Sequence, residues 1–93
     1  MSNDDNSKVY IGKKRPMSYV MSAMINLNEG KPVKLLARGR AISRAVDVGE
    51  ILRNNFAKGA TYGEIKISTE EVENKDGSMS NVSAIELEVI PPE

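Results

Sequence analysis

Pro32-Val33-Lys34-Leu35-Leu36-Ala37-Arg38-Gly39-Arg40-Ala41-Ile42-Ser43-Arg44 changes its hydrophobic period at Gly39, and the fold follows from that change. Its first six residues are a mostly apolar run held between Gly30 and Gly39, too short for a helix, and they predict a buried strand over 32–37. Past Gly39 the period changes. Ile42, Ala45, Val46, Gly49, Leu52, Arg53 and Phe56 recur at 3.6-residue spacing, which predicts an amphipathic helix that Gly59 closes. Gly49 inside that helix costs about 1 kcal/mol relative to Ala, so it marks a place where another backbone packs close.

The same strand-then-helix pattern lies upstream. Lys8-Val9-Tyr10-Ile11-Gly12 is short and β-prone, and Pro16 suits a first helical turn, where its missing N–H costs nothing. Val20, Ala23, Met24 and Leu27 then form a helical stripe, ended by Gly30 as a left-handed cap. Downstream, residues 62–74 contain Ile65 and Ile67 in alternation, and Lys75-Asp76-Gly77 signals a hairpin. The return strand turns Ile85, Leu87 and Val89 one way and Glu86 and Glu88 the other. Val82 is out of phase with Ile85, which predicts a bulge near Ser83, and Pro91-Pro92 ends the strand. The order is βαβαββ. It predicts an α+β fold, a four-stranded mixed sheet with two helices on one face, and a hairpin whose tip, residues 73–81, projects as an arm.

Ninety-three residues make one small domain, here residues 8–91 behind a polar, disordered tail over residues 1–7. A chain of this size buries only about two-thirds of the surface its unfolded form exposes, so association into a homodimer would help it. There is no Cys and no His, which removes disulfides, thiolate nucleophiles, imidazole bases and the commonest transition-metal ligands. The acidic start lacks the basic and apolar runs of a secretory signal, and no apolar stretch reaches the roughly 20 residues that span a bilayer. The expectation is a cytoplasmic protein without cofactor, metal, membrane partner or small-molecule substrate, and not an enzyme.

Formal net charge is zero, but its distribution is uneven. Residues 8–58 hold eleven cations against three carboxylates, a net of +8, whereas residues 59–93 net −6 and residues 1–7 net −2. A split of this kind can build one positive surface on a neutral molecule, unless the two segments interleave as neighbouring strands.

Two clusters carry the positive charge. Gly12-Lys13-Lys14-Arg15-Pro16 leads into a helix N-terminus, where lysine side chains and free N–H groups both favour a phosphate. It is no P-loop, because the glycine spacing and the Ser or Thr after Lys are missing. In the second cluster, Arg38, Arg40 and Arg44 present guanidinium forks to phosphate oxygens while Gly39 allows close backbone approach. In a βαβα arrangement both junctions emerge at the same end of the sheet. The carboxylates form no such constellation. Glu70, Glu71 and Glu73 lie on the hairpin, and Asp47 and Glu50 on a basic helix, spaced (i, i+3) for pairs with Arg44 and Arg53 respectively. Tyr10, Tyr19 and Tyr62 are scattered, a pattern commoner for core and edge residues than for a base-stacking platform.

With these residues in view, the chain resembles the Alba family of archaeal chromatin proteins. The carriers are Ile11-Gly12-Lys13-Lys14 with Tyr19-Val20, the run Ala37-Arg38-Gly39-Arg40-Ala41-Ile42-Ser43-Arg44-Ala45-Val46-Asp47, and Glu50-Ile51-Leu52-Arg53-Asn54-Asn55-Phe56. The resemblance implies a homodimer that lays its helical body over double-stranded DNA, with two hairpin arms along the minor groove. It implies phosphate contacts from Lys13 and Lys14, acetylation at Lys13, backbone contacts from Arg38 and Arg40 near the dimer centre, and association of neighbouring dimers through Phe56 with Arg53 and Asn54. It also leaves RNA open as a partner, since relatives bind RNA or serve in RNA-processing assemblies. Two features depart from the family pattern: the chain is neutral, and its arm carries only Lys75 as a cation. Fewer released counterions would make it a weaker or more selective binder than a bulk chromosome coat. The two functions to separate are an architectural DNA binder of the nucleoid and an RNA-binding or ribonucleoprotein-assembly subunit that uses the same surface.

Overall fold

Alternation along β2 (Val33–Arg38) sends Val33, Leu35 and Ala37 beneath the helices and Lys34, Leu36 and Arg38 to the opposite face. The computed structural model describes residues 7–93; residues 1–6 of the expected tail lie outside the described residues. Around β2 the elements are β1 (Lys8–Tyr10), α1 (Pro16–Asn28), α2 (Ala41–Ile51) continued by a π-helical turn (Leu52–Phe56), β3 (Thr61–Glu73) and β4 (Met79–Ile90). The sheet order is β1-β2-β4-β3, with β1 and β2 parallel and the other pairs antiparallel. This is the expected α+β fold.

The core lies between the helices and one sheet face, with Val20, Val33, Leu35, Val48, Leu52 and Val89 fully buried. Pro16 stands in the first turn of α1, as its sequence predicts, and the left-handed Gly30 follows the helix end. Asn26, the buried polar residue of the core, donates its side-chain amide to the Pro32 carbonyl at 3.1 Å and so ties α1 to the start of β2.

Three details differ from the sequence-based expectation. The buried face of α2 and its π-helical continuation is Ala45, Val48, Gly49 and Leu52, whereas Val46 and Phe56 are exposed. The cause is at Gly49. A Cβ there would come within 2.8 Å of the Tyr62 hydroxyl and 3.3 Å of a Leu87 methyl, so the helix approaches side chains of β3 and β4, not another backbone. The π-helical turn, with Ala57 N–H bonded to the Leu52 carbonyl at 2.6 Å, then breaks the 3.6-residue period before Phe56. The irregularity expected at Ser83 is absent. The β3–β4 register runs unbroken there and instead shifts between Tyr62 and Ile65. Gly63 makes that shift possible, since a Cβ would collide with the Glu88 carboxylate, which accepts the Glu64 N–H at 3.0 Å. The extra residue puts Tyr62 and Ile65, three positions apart, on the same side of the sheet.

Beyond the rung joining Arg38 to Ala84, β3 and β4 continue without a third strand for five rungs, from Thr69–Ser83 to Glu73–Met79. At about 3.3 Å per residue the paired part of the arm extends roughly 17 Å from the body. Its tip closes through the left-handed Gly77, and Asp76 accepts both the backbone N–H and the hydroxyl of Ser78. These bonds hold the Asp76 carboxyl below its ordinary pKa, the Ser78 hydroxyl being the larger cause. No helix among the described residues is long and apolar enough to cross a membrane.

Candidate nucleic-acid interface

Because β1 and β2 are parallel neighbours, the chain leaves both strands at one end of the sheet, and each exit opens a helix. The first exit carries Lys13, Lys14 and Arg15, all exposed; the second carries Arg38 and Arg40, also exposed. Arg15 and Arg40 occupy the N-cap positions of α1 and α2. Neither helix start has a side-chain cap or an acidic residue in its first turn, so the positive end of each helix dipole is uncompensated. Both basic runs singled out in the sequence therefore meet in space.

Two residues hold the junctions in shape. The Tyr19 hydroxyl accepts the backbone N–H groups of both Gly12 and Lys14, each at 2.9 Å. A helical side chain leans toward the N-terminus of its helix, which brings the tyrosine back over the loop that precedes it. The Gly12 and Lys14 N–H groups are thus engaged within the protein, and the first loop presents its cations through side chains. Arg44 donates from Nη1 to the Gly12 carbonyl at 2.6 Å, bracing the second helix against the first loop. The sequence had paired Arg44 with Asp47 at (i, i+3); no such ion pair forms. Part of the Arg44 guanidinium is structural, and its remaining N–H groups are the ones left for a ligand. The Gly39 N–H, from a residue at φ +57°, donates to the Ser83 carbonyl at 2.8 Å and fixes the second junction to the root of the arm.

The arm contributes little positive charge. Lys75 stands at its tip, among Glu70, Glu71, Glu73 and Asp76. Arg38 reaches across β4 toward this segment, with Nη1 3.4 Å from Glu70 Oε1.

The remaining residues assigned from the sequence lie at the other end of α2. Arg53 donates to Glu50 at 2.9 Å and to the Ala60 carbonyl at 3.4 Å, and its guanidinium lies 5.0 Å from the centre of the Tyr62 ring. Tyr62 donates to the same Glu50 oxygen at 2.5 Å. Burial, then the Glu50 carboxylate, pushes the Tyr62 hydroxyl up to about 12, while the hydrogen bonds from Tyr62 and Arg53 hold Glu50 below the usual carboxylate range. Arg53 is thereby fastened within its own chain. Asn54 and Phe56, the latter 43% exposed, project beyond it.

The helices leave one part of their side of the sheet uncovered. Ile65 and Ile67 face the helical layer, opposite Leu87 and Ile85, yet are 50% and 79% exposed. Val46 and Ile42 lie one and two turns before Glu50, whose carboxylate is bonded to Tyr62 of β3, and so share its flank of α2. Val46, Ile65 and Ile67 thus leave an exposed apolar shelf on α2 and β3. Sequence alternation had identified the two isoleucines as inward-facing, but not that no helix would cover them.

Similarity to known proteins agrees with this architecture. The Alba family model matches residues 7–69. A protein of Methanothrix thermoacetophila named DNA/RNA-binding protein Alba is 48% identical over 88 residues, 94% of this chain and 96% of the relative. A Methanocella arvoryzae protein of the same name is 44% identical over 84 residues, covering 89% and 88%. Among solved structures, Alba from Thermoplasma volcanium superposes with a TM-score of 0.83 at 39% identity, over 89% of this chain and 98% of that one.

Proposed function

Because the chain belongs to the Alba family, we propose that it binds double-stranded DNA as a homodimer, mainly through the phosphate backbone, and helps organise the chromosome in a cytoplasmic nucleoid. The observation that carries this reading is the convergence of Lys13, Lys14, Arg15, Arg38 and Arg40 at one end of the sheet, beside two uncapped helix starts. Relatives named as DNA/RNA-binding proteins support it. The apolar shelf of Val46, Ile65 and Ile67 supports a second copy as its cover, and exposed Phe56 supports contacts between neighbouring dimers. Lys13 is the lysine whose acetylation would remove one charge from the patch. The role proposed is one of binding, as in the relatives named for it.

Structured RNA is the second reading. The same name covers RNA, and an arm with four carboxylates against Lys75 is ill suited to lie between the phosphate walls of a minor groove. Binding would then fall to the body, whose cations suit either polymer. The deciding experiment titrates matched duplex DNA and structured RNA across a salt series, with Arg38→Ala plus Arg40→Ala as the control. Duplex binding that is steep in salt, and whose slope falls by about 2 per protomer in the double variant, supports the DNA reading, each lost phosphate contact contributing roughly 0.9. Tighter binding of RNA at every salt concentration replaces it with the RNA reading. Weak, salt-independent binding to both sinks the phosphate surface altogether.

A further inference from the structure

Arg38 leaves β2 on the sheet face that no helix covers, at the rung where Ala84 of β4 separates it from Ser68 of β3. Glu70 follows Ser68 by two residues and so shares that face, and its Oε1 lies 3.4 Å from Arg38 Nη1. The pair spans β4 at Ala84, which is only 5% exposed although it lies on the uncovered face. A small residue on the middle strand lets the two long side chains meet across it. Among the described residues no carboxylate lies within ion-pair distance of Lys13, Lys14, Arg15 or Arg40. Arg38 is the exception in the patch.

We propose that Glu70 is an internal competitor for the nucleic-acid phosphate: in the free protein it occupies the guanidinium of Arg38, and binding requires a phosphate to displace it. The proposal rests on the nucleic-acid-binding reading above. A carboxylate and a phosphate oxygen both accept charge-assisted bonds from a guanidinium, so the two anions compete for the same donors. Glu70 is tethered and always present, whereas a phosphate is delivered by a backbone that Arg40, Lys13 and Lys14 hold at the same time. The exchange swaps one ion pair for another, and Arg38 therefore adds less to affinity than an unpaired cation would. Both partners are exposed, and an ion pair of this kind is weak enough for a polyanion to open. A single phosphate or an acidic peptide lacks the neighbouring contacts that drive the exchange. Glu70 thus biases the surface toward extended polyanions and sets its affinity from within the chain.

Glu71 supplies a charge-matched control, since it pairs with Asn81 and projects from the opposite face of the arm. The experiment measures duplex affinity at fixed salt by fluorescence anisotropy for the wild type, E70Q, E71Q, R38Q and the E70Q/R38Q double variant. E70Q is expected to bind about two- to fivefold tighter than wild type, E71Q to gain distinctly less, and E70Q/R38Q to gain over R38Q no more than E71Q gains over wild type. Equal gains from E70Q and E71Q would reduce the effect to the general field of the arm and overturn the proposal. An E70Q gain that persists undiminished without Arg38, or no gain from E70Q, overturns it as well. A wild type that binds neither duplex nor RNA would instead bring down the functional reading on which the proposal rests.

Discussion

Tyr62 illustrates how a single side chain can join elements that the sequence keeps apart. Its hydroxyl donates to Glu50 at 2.5 Å while Arg53 lies against its ring. The pairing of Glu50 with Arg53 is legible from their (i, i+3) spacing; the third member comes from another element, 12 residues from Glu50, and no local pattern marks it. The hydroxyl titrates near 12 in the folded chain against about 10 for a free tyrosine, because burial and the Glu50 carboxylate both disfavour the phenolate. A pKa raised on folding contributes stability that is complete below pH 10 and is lost as the pH rises through 12. Thermal melts across this interval should show a drop in the wild type that Tyr62→Phe lacks, the common loss from lysine titration cancelling in the difference. Identical pH profiles for the two proteins would remove Tyr62 from the stability of this corner. Glu50 runs the other way: its lowered pKa contributes stability above the ordinary carboxylate range, and that contribution fades as the pH falls through the depressed value. Tyr19 makes the same point about legibility. Its place on the α1 stripe is predictable, but its service to two N–H groups of the basic loop depends on how the loop folds back.

Helix α2 is held to the sheet by a residue with no side chain. Replacing Gly49 by Ala would add about 1 kcal/mol of helix propensity in an isolated peptide. In the folded chain the new methyl meets the Tyr62 hydroxyl, itself fixed by Glu50, and a Leu87 methyl. Overpacking of this kind costs about 1–3 kcal/mol. The expected net result is an urea midpoint lowered by about 1 kcal/mol of stability with an unchanged m-value. A stabilised Gly49→Ala protein would show that the helix can lift without penalty. The glycine was visible in the sequence as an anomaly. The identity of what it packs against was not, because it depends on the bulge at Gly63 that turns Tyr62 toward the helix.

For the molecule as a whole, Ile65 and Ile67 leave apolar surface in water that a partner could cover. Under the homodimer reading, Ile67→Glu places a charge in the interface and should halve the mass measured by sedimentation equilibrium while leaving the protomer folded, because Ile67 is 79% exposed within it. A dimer unaffected by Ile67→Glu would put the interface elsewhere. Element order, both basic junctions and their shared end of the sheet were legible along the chain, since hydrophobic period, glycine and proline stops and parallel strand direction are local or nearly local properties. The hairpin arm was legible too, through Asp76-Gly77 and the polar run around it. Tertiary structure alone decided which cations are free. Arg44 is drawn to the Gly12 carbonyl and Arg38 to Glu70, each across 32 residues of chain. Such partners are set by sheet register and helix docking, so spacing along the chain carries no trace of them.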